Sequence, residues 1–331
     1  MTSLDSSPQL QSAGTLPGPP GWVTEFVDGA AAAWAPIGRR RTVRVRDAGP
    51  FALVSVRVQD AMRLGAEAFA DEVRAAYAEI ALRLGRRAAC HPVRLWNFIP
   101  GILDPLGAHP QRYMAFNAAR FEACEAWFGS SAQFPQKLAT ASGVGHRGDD
   151  LLIHCLAAQH PGLTVENPRQ VAAYRYSRRY GRRPPCFSRA VVVVDSGLTP
   201  RWLMVGGTAS IVGEDSRHDG SLSRQLLETM RNLATLIGAV RDRDGRECGA
   251  DDQAGPASLR RFEHLRIYHP RPADREPIRC AIAEAAGGLR SVEWVHADLC
   301  RPELLVEIEG LVRLNDHAAP AASPGAMTAR S

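Results

Sequence analysis

Residues 41–58 read RTVRVRDAGPFALVSVRV. Apolar and polar side chains alternate along TVRVR and again along FALVSVRV, the period of two half-buried strands, so the segment predicts a hairpin. Residues 61–84 then carry apolar side chains at the spacing of an amphipathic helix, which makes the opening unit β-β-α. The same grammar continues. Residues 93–99 and 151–158 read as strands, with a helix over 111–128 whose Phe116, Ala119 and Ala123 lie near one face. Further strands are predicted over 171–176, 189–195 and 202–205, a helix over 221–240, a strand over 261–268, a helix over 274–286, and strands over 292–297 and 304–314. Residues 241–257, rich in Asp, Gly and Arg, read as a surface loop. Short strands punctuated by long helices predict an α+β fold, mixed sheets with helices on one side. No GxGxxG follows a strand, so nothing supports a dinucleotide fold. Residues 1–20 and 315–331 hold little to bury and are expected to be disordered tails.

Composition narrows the function classes. A chain of 331 residues that is 45% hydrophobic can bury a full core in two domains or one larger one. No apolar run approaches membrane-spanning length and the N-terminus lacks the order of a secretory signal, so the expectation is a cytoplasmic protein without a membrane partner. Seven cysteines, Cys90, Cys124, Cys155, Cys186, Cys248, Cys280 and Cys300, are scattered without CxxC spacing, which reads as reduced thiols rather than a disulfide frame or zinc site. The ten histidines contain no HExxH, and no metal is expected. The net charge of +5 comes almost entirely from arginine, with Lys137 the sole lysine. Arg39–Arg41, Arg178–Arg179 and Arg182–Arg183 are short clusters without interleaved aromatics, so nucleic acid is not an expected partner.

The chemistry concentrates between residues 166 and 218. Glu166-Asn-Pro-Arg-Gln-Val171, Tyr174-Arg-Tyr176 and Gly206-Gly-Thr-Ala-Ser-Ile-Val-Gly213 crowd anion-binding groups beside glycine turns. Alternating Arg and Tyr can aim charged and neutral donors into one cleft, and the glycines let backbone approach a ligand, which suits a small dicarboxylate. Tyr113 and Arg120, seven apart, fall on one face of their predicted helix. Downstream, Glu307 and Glu309 alternate with Val306 and Ile308, so both carboxyls share a face. A carboxyl held among apolar neighbours, beside a second carboxyl, stays protonated near neutral pH and can donate a proton. A solvated edge strand is the other reading of that Glu-x-Glu.

Trp96-Asn97, Arg112-Tyr113, Phe116-Asn117, Arg120, Trp127-Phe128-Gly129 and the central block, in that order, resemble the chorismatase family over residues 93–313. Residues 202–313 also resemble a reactive-intermediate deaminase (YjgF-like) domain. These resemblances imply a degenerate YjgF-like region over 21–200, a YjgF-like domain over 201–314, and a pseudo-threefold arrangement within a monomer. They imply Glu307 as the catalytic acid, with Tyr113, Arg120, Tyr176 and Arg189 binding the substrate, chorismate, and no cofactor. Thr208 and Ser210 are candidate donors to substrate oxygens. Glycine at 213 and cysteine at 300 resemble the members that form 3-hydroxybenzoate, whereas alanine at both marks the hydrolases. Cys300 has no His partner at a recognisable spacing and reads as a residue that shapes the pocket, not a nucleophile. Two positions depart from the family pattern: Gly206 stands where it has Ser, and Glu214 where it has His.

The resulting expectation is an enzyme that converts chorismate to 3-hydroxybenzoate and pyruvate. Its alternatives are a chorismate hydrolase yielding a dihydroxycyclohexadiene carboxylate, an enamine/imine deaminase, and a non-catalytic ligand-binding module.

Overall fold

A computed structural model of the chain describes residues 16–28, 32–240 and 256–314. The expectations for residues 1–15, for the loop over 241–255 and for 315–331 lie outside the described residues. The first half contains β1 (Ala35–Pro36), β2 (Arg41–Ala48), β3 (Phe51–Val58), α1 (Ala66–Leu84), β4 (His91–Pro100), α2 (Arg112–Phe128), β5 (Thr140–His146) and β6 (Leu151–Ala158). The second contains β7 (Leu163–Val165), β8 (Ala190–Val194), β9 (Pro200–Ala209), a small hairpin of β10 (Ile211–Val212) and β11 (Asp215–Ser216), α3 (Leu222–Gly238), β12 (Phe262–His269), α4 (Arg275–Ala285), β13 (Ser291–His296) and β14 (Glu307–Arg313).

The two halves repeat one topology. The first sheet has the order β1-β2-β3-β6-β4-β5 and the second β13-β12-β14-β9-β8-β7. Leaving out the edge strands β1 and β7, each is a hairpin whose second strand pairs with the last strand of the unit, followed by one parallel pair. Those parallel pairs are β4 with β5 and β12 with β13, joined by α2 and α4 respectively, as a parallel connection requires. The fold is thus mixed α+β, with helices on one face of each sheet. Two such units are present among the described residues, where the resemblance leads to an expectation of pseudo-threefold symmetry. The second unit also begins before residue 201: β8 pairs with β9 along Ala190–Val194, so a boundary at 200 would cut the sheet.

Packing explains the layers. On α1, Phe69, Val73, Ala76, Tyr77, Ile80 and Leu84 are buried, the stripe of a helix lying on a sheet. One core fills the space between α1, α2 and the first sheet, and another that between α3, α4 and the second. The bare faces of the two sheets meet in a third core that includes Trp96, Phe98, Met204, Tyr268 and Leu311. On β14, Ile308 and Val312 belong to the helix-side core while Leu311 faces the other sheet. Glu307 and Glu309 therefore point between the sheets, among buried neighbours. A solvated edge for this Glu-x-Glu is excluded.

Two segments differ from expectation. Residues 16–20, read as part of a tail, clasp both sheets: the carbonyl of Pro17 accepts from His154 Nε2 at 3.2 Å and that of Gly18 from Arg266 Nη1 at 2.8 Å. Burial, reinforced by Arg44, pushes the His154 pKa down to about 3, so the ring is neutral and its Nδ1 accepts from Ser55 Oγ at 2.8 Å. Trp22 then packs edge-on against Trp96, with ring centres 5.7 Å apart. Residues 171–176 form no strand ladder. They run into 3-10 turns at Ala173–Arg175 and Arg178–Tyr180, tied to the β10–β11 turn by Val171 N–H donating to the Gly213 carbonyl at 2.9 Å. Among the described residues no helix is long and apolar enough to cross a membrane.

Candidate active site

The strands β5, β9 and β14, the helix α2 and the crossing segment 176–187 line a cavity that opens to solvent. Tyr113 and Arg120 reach it from α2, Tyr176 and Arg189 from the crossing segment and its continuation, and Cys300 and Glu307 from the second unit. The structure thus brings together six of the residues singled out from sequence, drawn from both halves of the chain.

Glu307 is only 5% exposed. Burial, and secondarily the charge of Glu309, push its pKa up to about 8, against the opposing influence of Arg94 and Arg189. The carboxyl therefore holds its proton at neutral pH. Gly207, one strand over, leaves room for it: a β-carbon there would stand 1.9 Å from Glu307 Oε1. Glu309 has a different fate. It is fully buried, accepts from Arg94 Nη2 at 2.6 Å, Trp96 Nε1 at 2.8 Å and the Tyr268 hydroxyl at 3.0 Å, and is also bonded by Ser142 Oγ. Of two carboxyls on one face, one is locked into the floor and the other faces the cavity.

The cationic walls are equally ordered. Arg120 donates through Nη2 to the Cys186 carbonyl at 2.5 Å, with the Tyr77 and Phe187 rings on its guanidinium at 6.0 and 5.8 Å. Arg189 donates through Nη2 to the Tyr176 hydroxyl at 2.7 Å and to the Val171 carbonyl at 2.9 Å. The Nε groups of both are buried without a protein partner. Burial, with Cys300 next in size, raises the pKa of Tyr113, so it is a neutral phenol beside Gly143, where a β-carbon would lie 3.2 Å from its ring. Burial and then Glu307 push the Cys300 thiol up to about 12. It is a neutral thiol at the cavity wall.

Three predicted residues do not line the cavity. Thr208 Oγ1 donates to the Gly206 carbonyl at 3.0 Å, and Ser210 Oγ to the Arg217 carbonyl at 2.9 Å, so both hydroxyls serve the local backbone. Gly213 sits at φ +62° in the turn, and a β-carbon on it would meet nothing within 4 Å. Both departures from the family pattern acquire physical accounts. Gly206 is hemmed in, with Thr140 Oγ1 2.4 Å from the place of a β-carbon. The Glu214 carboxylate accepts from Ser177 N–H at 2.8 Å and Ser177 Oγ at 2.7 Å, fastening the crossing segment over the cavity. Arg301, which follows Cys300 and lines the cavity, was not singled out from sequence. Its position next to Cys300 was the available signal.

A family model described as "Chorismatase FkbO/Hyg5-like, N-terminal" matches residues 30–157. A chorismatase of Streptomyces rapamycinicus is 33% identical over 66% of this chain, and the chain spans just under two thirds of it, 63%. A 3-hydroxybenzoate synthase of Streptomyces hygroscopicus is 31% identical over 74% of this chain and 70% of its own length. A chorismatase crystal structure superposes with a TM-score of 0.71 at 26% identity, covering 82% of this chain and 77% of that one.

Proposed function

The chain belongs to the chorismatase family, and from that premise we propose that its cavity takes chorismate and releases 3-hydroxybenzoate and pyruvate. The observation that carries the reading is the buried, proton-holding carboxyl of Glu307 facing a cavity walled by arginines. Chorismate carries two carboxylates and an acid-labile enol ether, and both needs are met by those groups. Arg189, with Tyr176, and Arg120, with Tyr113, orient the dianion; a guanidinium's planar fork suits a carboxylate and keeps its charge at any working pH.

Glu307 gives its proton to the enolpyruvyl methylene, which becomes the methyl group of pyruvate. The resulting oxocarbenium-like ether is activated for loss of the ether oxygen from the ring, and the departing oxygen becomes the keto oxygen of pyruvate. The neighbouring ring hydroxyl attacks the carbon being vacated and its proton restores Glu307. The epoxide-like product opens to the aromatic phenol. No water is consumed, and the atoms of chorismate equal those of 3-hydroxybenzoate plus pyruvate. Cys300, a neutral thiol at the wall, shapes the space beside the ring.

The test is incubation of the purified chain with chorismate, with products identified by chromatography and mass. Equimolar pyruvate and 3-hydroxybenzoate are expected. A dihydroxycyclohexadiene carboxylate would replace the product assignment by the hydrolytic one, and absence of pyruvate would overturn the activity.

A further inference from the structure

We infer that Arg301 is a third anion clamp of this cavity and that it takes the ring carboxylate of the substrate, an inference that rests on the chorismatase reading above. Arg301 is only 8% exposed and lines the cavity. Its guanidinium lies over the Tyr180 ring at 4.0 Å and near that of Tyr176 at 5.7 Å, so its plane is fixed by stacking. One side is anchored: Nη1 donates to the Glu214 carbonyl at 2.9 Å and to Ser216 Oγ at 3.0 Å. Among the described residues Nε and Nη2 donate to no protein group, and no carboxylate pairs with the charge. A nearly buried cation held rigid, with half of its donor fork unused, is costly unless an anion completes it.

The choice between the two carboxylates follows from connectivity. The methylene that receives the proton is bonded to the carbon that bears the enolpyruvyl carboxylate, so that carboxylate must lie beside Glu307. Arg189 is tied to the strand that forms the Glu307 recess, its carbonyl accepting from Gly206 N–H at 3.0 Å next to Gly207, whereas Arg301 is anchored at the β10–β11 hairpin by the Glu214 carbonyl and Ser216 Oγ. The enolpyruvyl carboxylate therefore belongs to Arg189, and the ring carboxylate to Arg301 together with Arg120. In this arrangement Tyr176 and Tyr180 position the clamp, and the Glu214–Ser177 contact holds those rings in place.

The test compares the wild type with Arg301→Met, Arg301→Lys and Ser216→Ala, using the full chain. KM and kcat for chorismate are measured, together with calorimetric affinities for 3-hydroxybenzoate, which keeps the ring carboxylate, and for pyruvate, which keeps the other. For Arg301→Met, KM and the 3-hydroxybenzoate Kd are expected to rise about tenfold to a hundredfold, the equivalent of one charge-assisted contact. Pyruvate affinity should stay within about twofold and kcat should change less than KM. Lysine, which keeps charge but not the fork, should restore part of the affinity, and Ser216→Ala, which removes one of the two anchors of Nη1, should raise the 3-hydroxybenzoate Kd less than Arg301→Met does. Unchanged 3-hydroxybenzoate affinity in Arg301→Met overturns the inference. So does equal loss for both products with a lowered melting temperature, the signature of a structural strut. A wild type that releases no pyruvate from chorismate brings down the parent reading; a wild type that turns over normally beside an indistinguishable Arg301→Met brings down this inference alone.

Discussion

Gly207 stands against Glu307 so closely that a β-carbon on the glycine would lie 1.9 Å from Oε1 and 3.1 Å from Ser142 Oγ. The strand β9 thus provides a recess into which the Glu307 carboxyl of β14 fits. Gly207→Ala must displace the carboxyl, and a shift of about 1 Å in a reacting group costs on the order of a hundredfold in rate. Turnover of chorismate is expected to fall by about that factor while the far-ultraviolet spectrum stays native. Wild-type turnover in this variant would show that the proton comes from elsewhere.

Replacing the acid itself separates chemistry from binding. Glu307→Gln is expected to lower pyruvate release by about a hundredfold or more, the scale of general-acid catalysis, with chorismate still bound. It should also stabilise the fold. The folded chain holds the Glu307 proton up to about pH 8, whereas the unfolded chain releases it near the ordinary value of 4.5. Folded stability therefore declines as pH rises between those limits, at about 1.4 kcal/mol per unit for one proton, and glutamine removes that decline. Denaturant titrations of both proteins at pH 5 and pH 8 read the difference.

The same ionisation is expected to set the pH profile. A general acid must be protonated, so kcat/KM should be level on the acid side and fall as pH rises through about 8. The charge of Glu309 is one cause of the raised value. Glu309→Gln should move the falling limb to lower pH, provided circular dichroism shows that it folds, since Arg94 loses its 2.6 Å partner. A limb that stays in place, or moves upward, would contradict the coupling between the two carboxyls.

Much of this was legible in the sequence because periodicity reports burial. The spacing along α1, the hairpin of β2 and β3, and the shared face of Glu307 and Glu309 all follow from side-chain alternation. Two parts were not legible, for definite reasons. Residues 140–146, TASGVGH, hold two glycines, one alanine and one serine where a strand normally has bulk. They are β5 because Tyr113 and Ile102 occupy the space that larger side chains would need, a fact of tertiary packing. Residues 171–176 show the reverse: Arg and Tyr alternate like a strand, yet the segment is held by Gly213 and leads into the stretch that crosses the cavity, where Glu214 holds Ser177. The distinction between Glu307 and Glu309 also depends on long-range partners, since Arg94 and Trp96 approach Glu309 from the other unit.

The clamp assigned to the enolpyruvyl carboxylate has its own signature. Arg189→Ala removes a guanidinium that is anchored by the Tyr176 hydroxyl at 2.7 Å and whose Nε lacks a protein partner. KM for chorismate should rise by the equivalent of about 1.5 to 3 kcal/mol, with pyruvate affinity falling alongside it. Lysine should restore little, because a point charge reproduces neither the fork nor the bond to Tyr176. Unchanged KM and unchanged pyruvate affinity would place Arg189 outside the binding set.

Product partition is where the geometry divides a pair that the sequence had joined. Cys300 lines the cavity, whereas Gly213 sits in a turn at φ +62° with no group within 4 Å of a β-carbon position. Cys300→Ala should therefore enlarge the space beside the ring, admit water to the carbon that the ring hydroxyl attacks, and yield some dihydroxycyclohexadiene carboxylate. Gly213→Ala should change product little and cost stability of about 1 kcal/mol, because alanine is strained at positive φ. Turnover in heavy-oxygen water distinguishes the routes: the wild-type phenol should carry no label, since its oxygen comes from the substrate hydroxyl, and the diene from Cys300→Ala should carry one labelled oxygen. Label in the wild-type phenol would refute the intramolecular displacement, and a product shift caused by Gly213→Ala alone would show that the turn, not the thiol at the wall, governs the outcome.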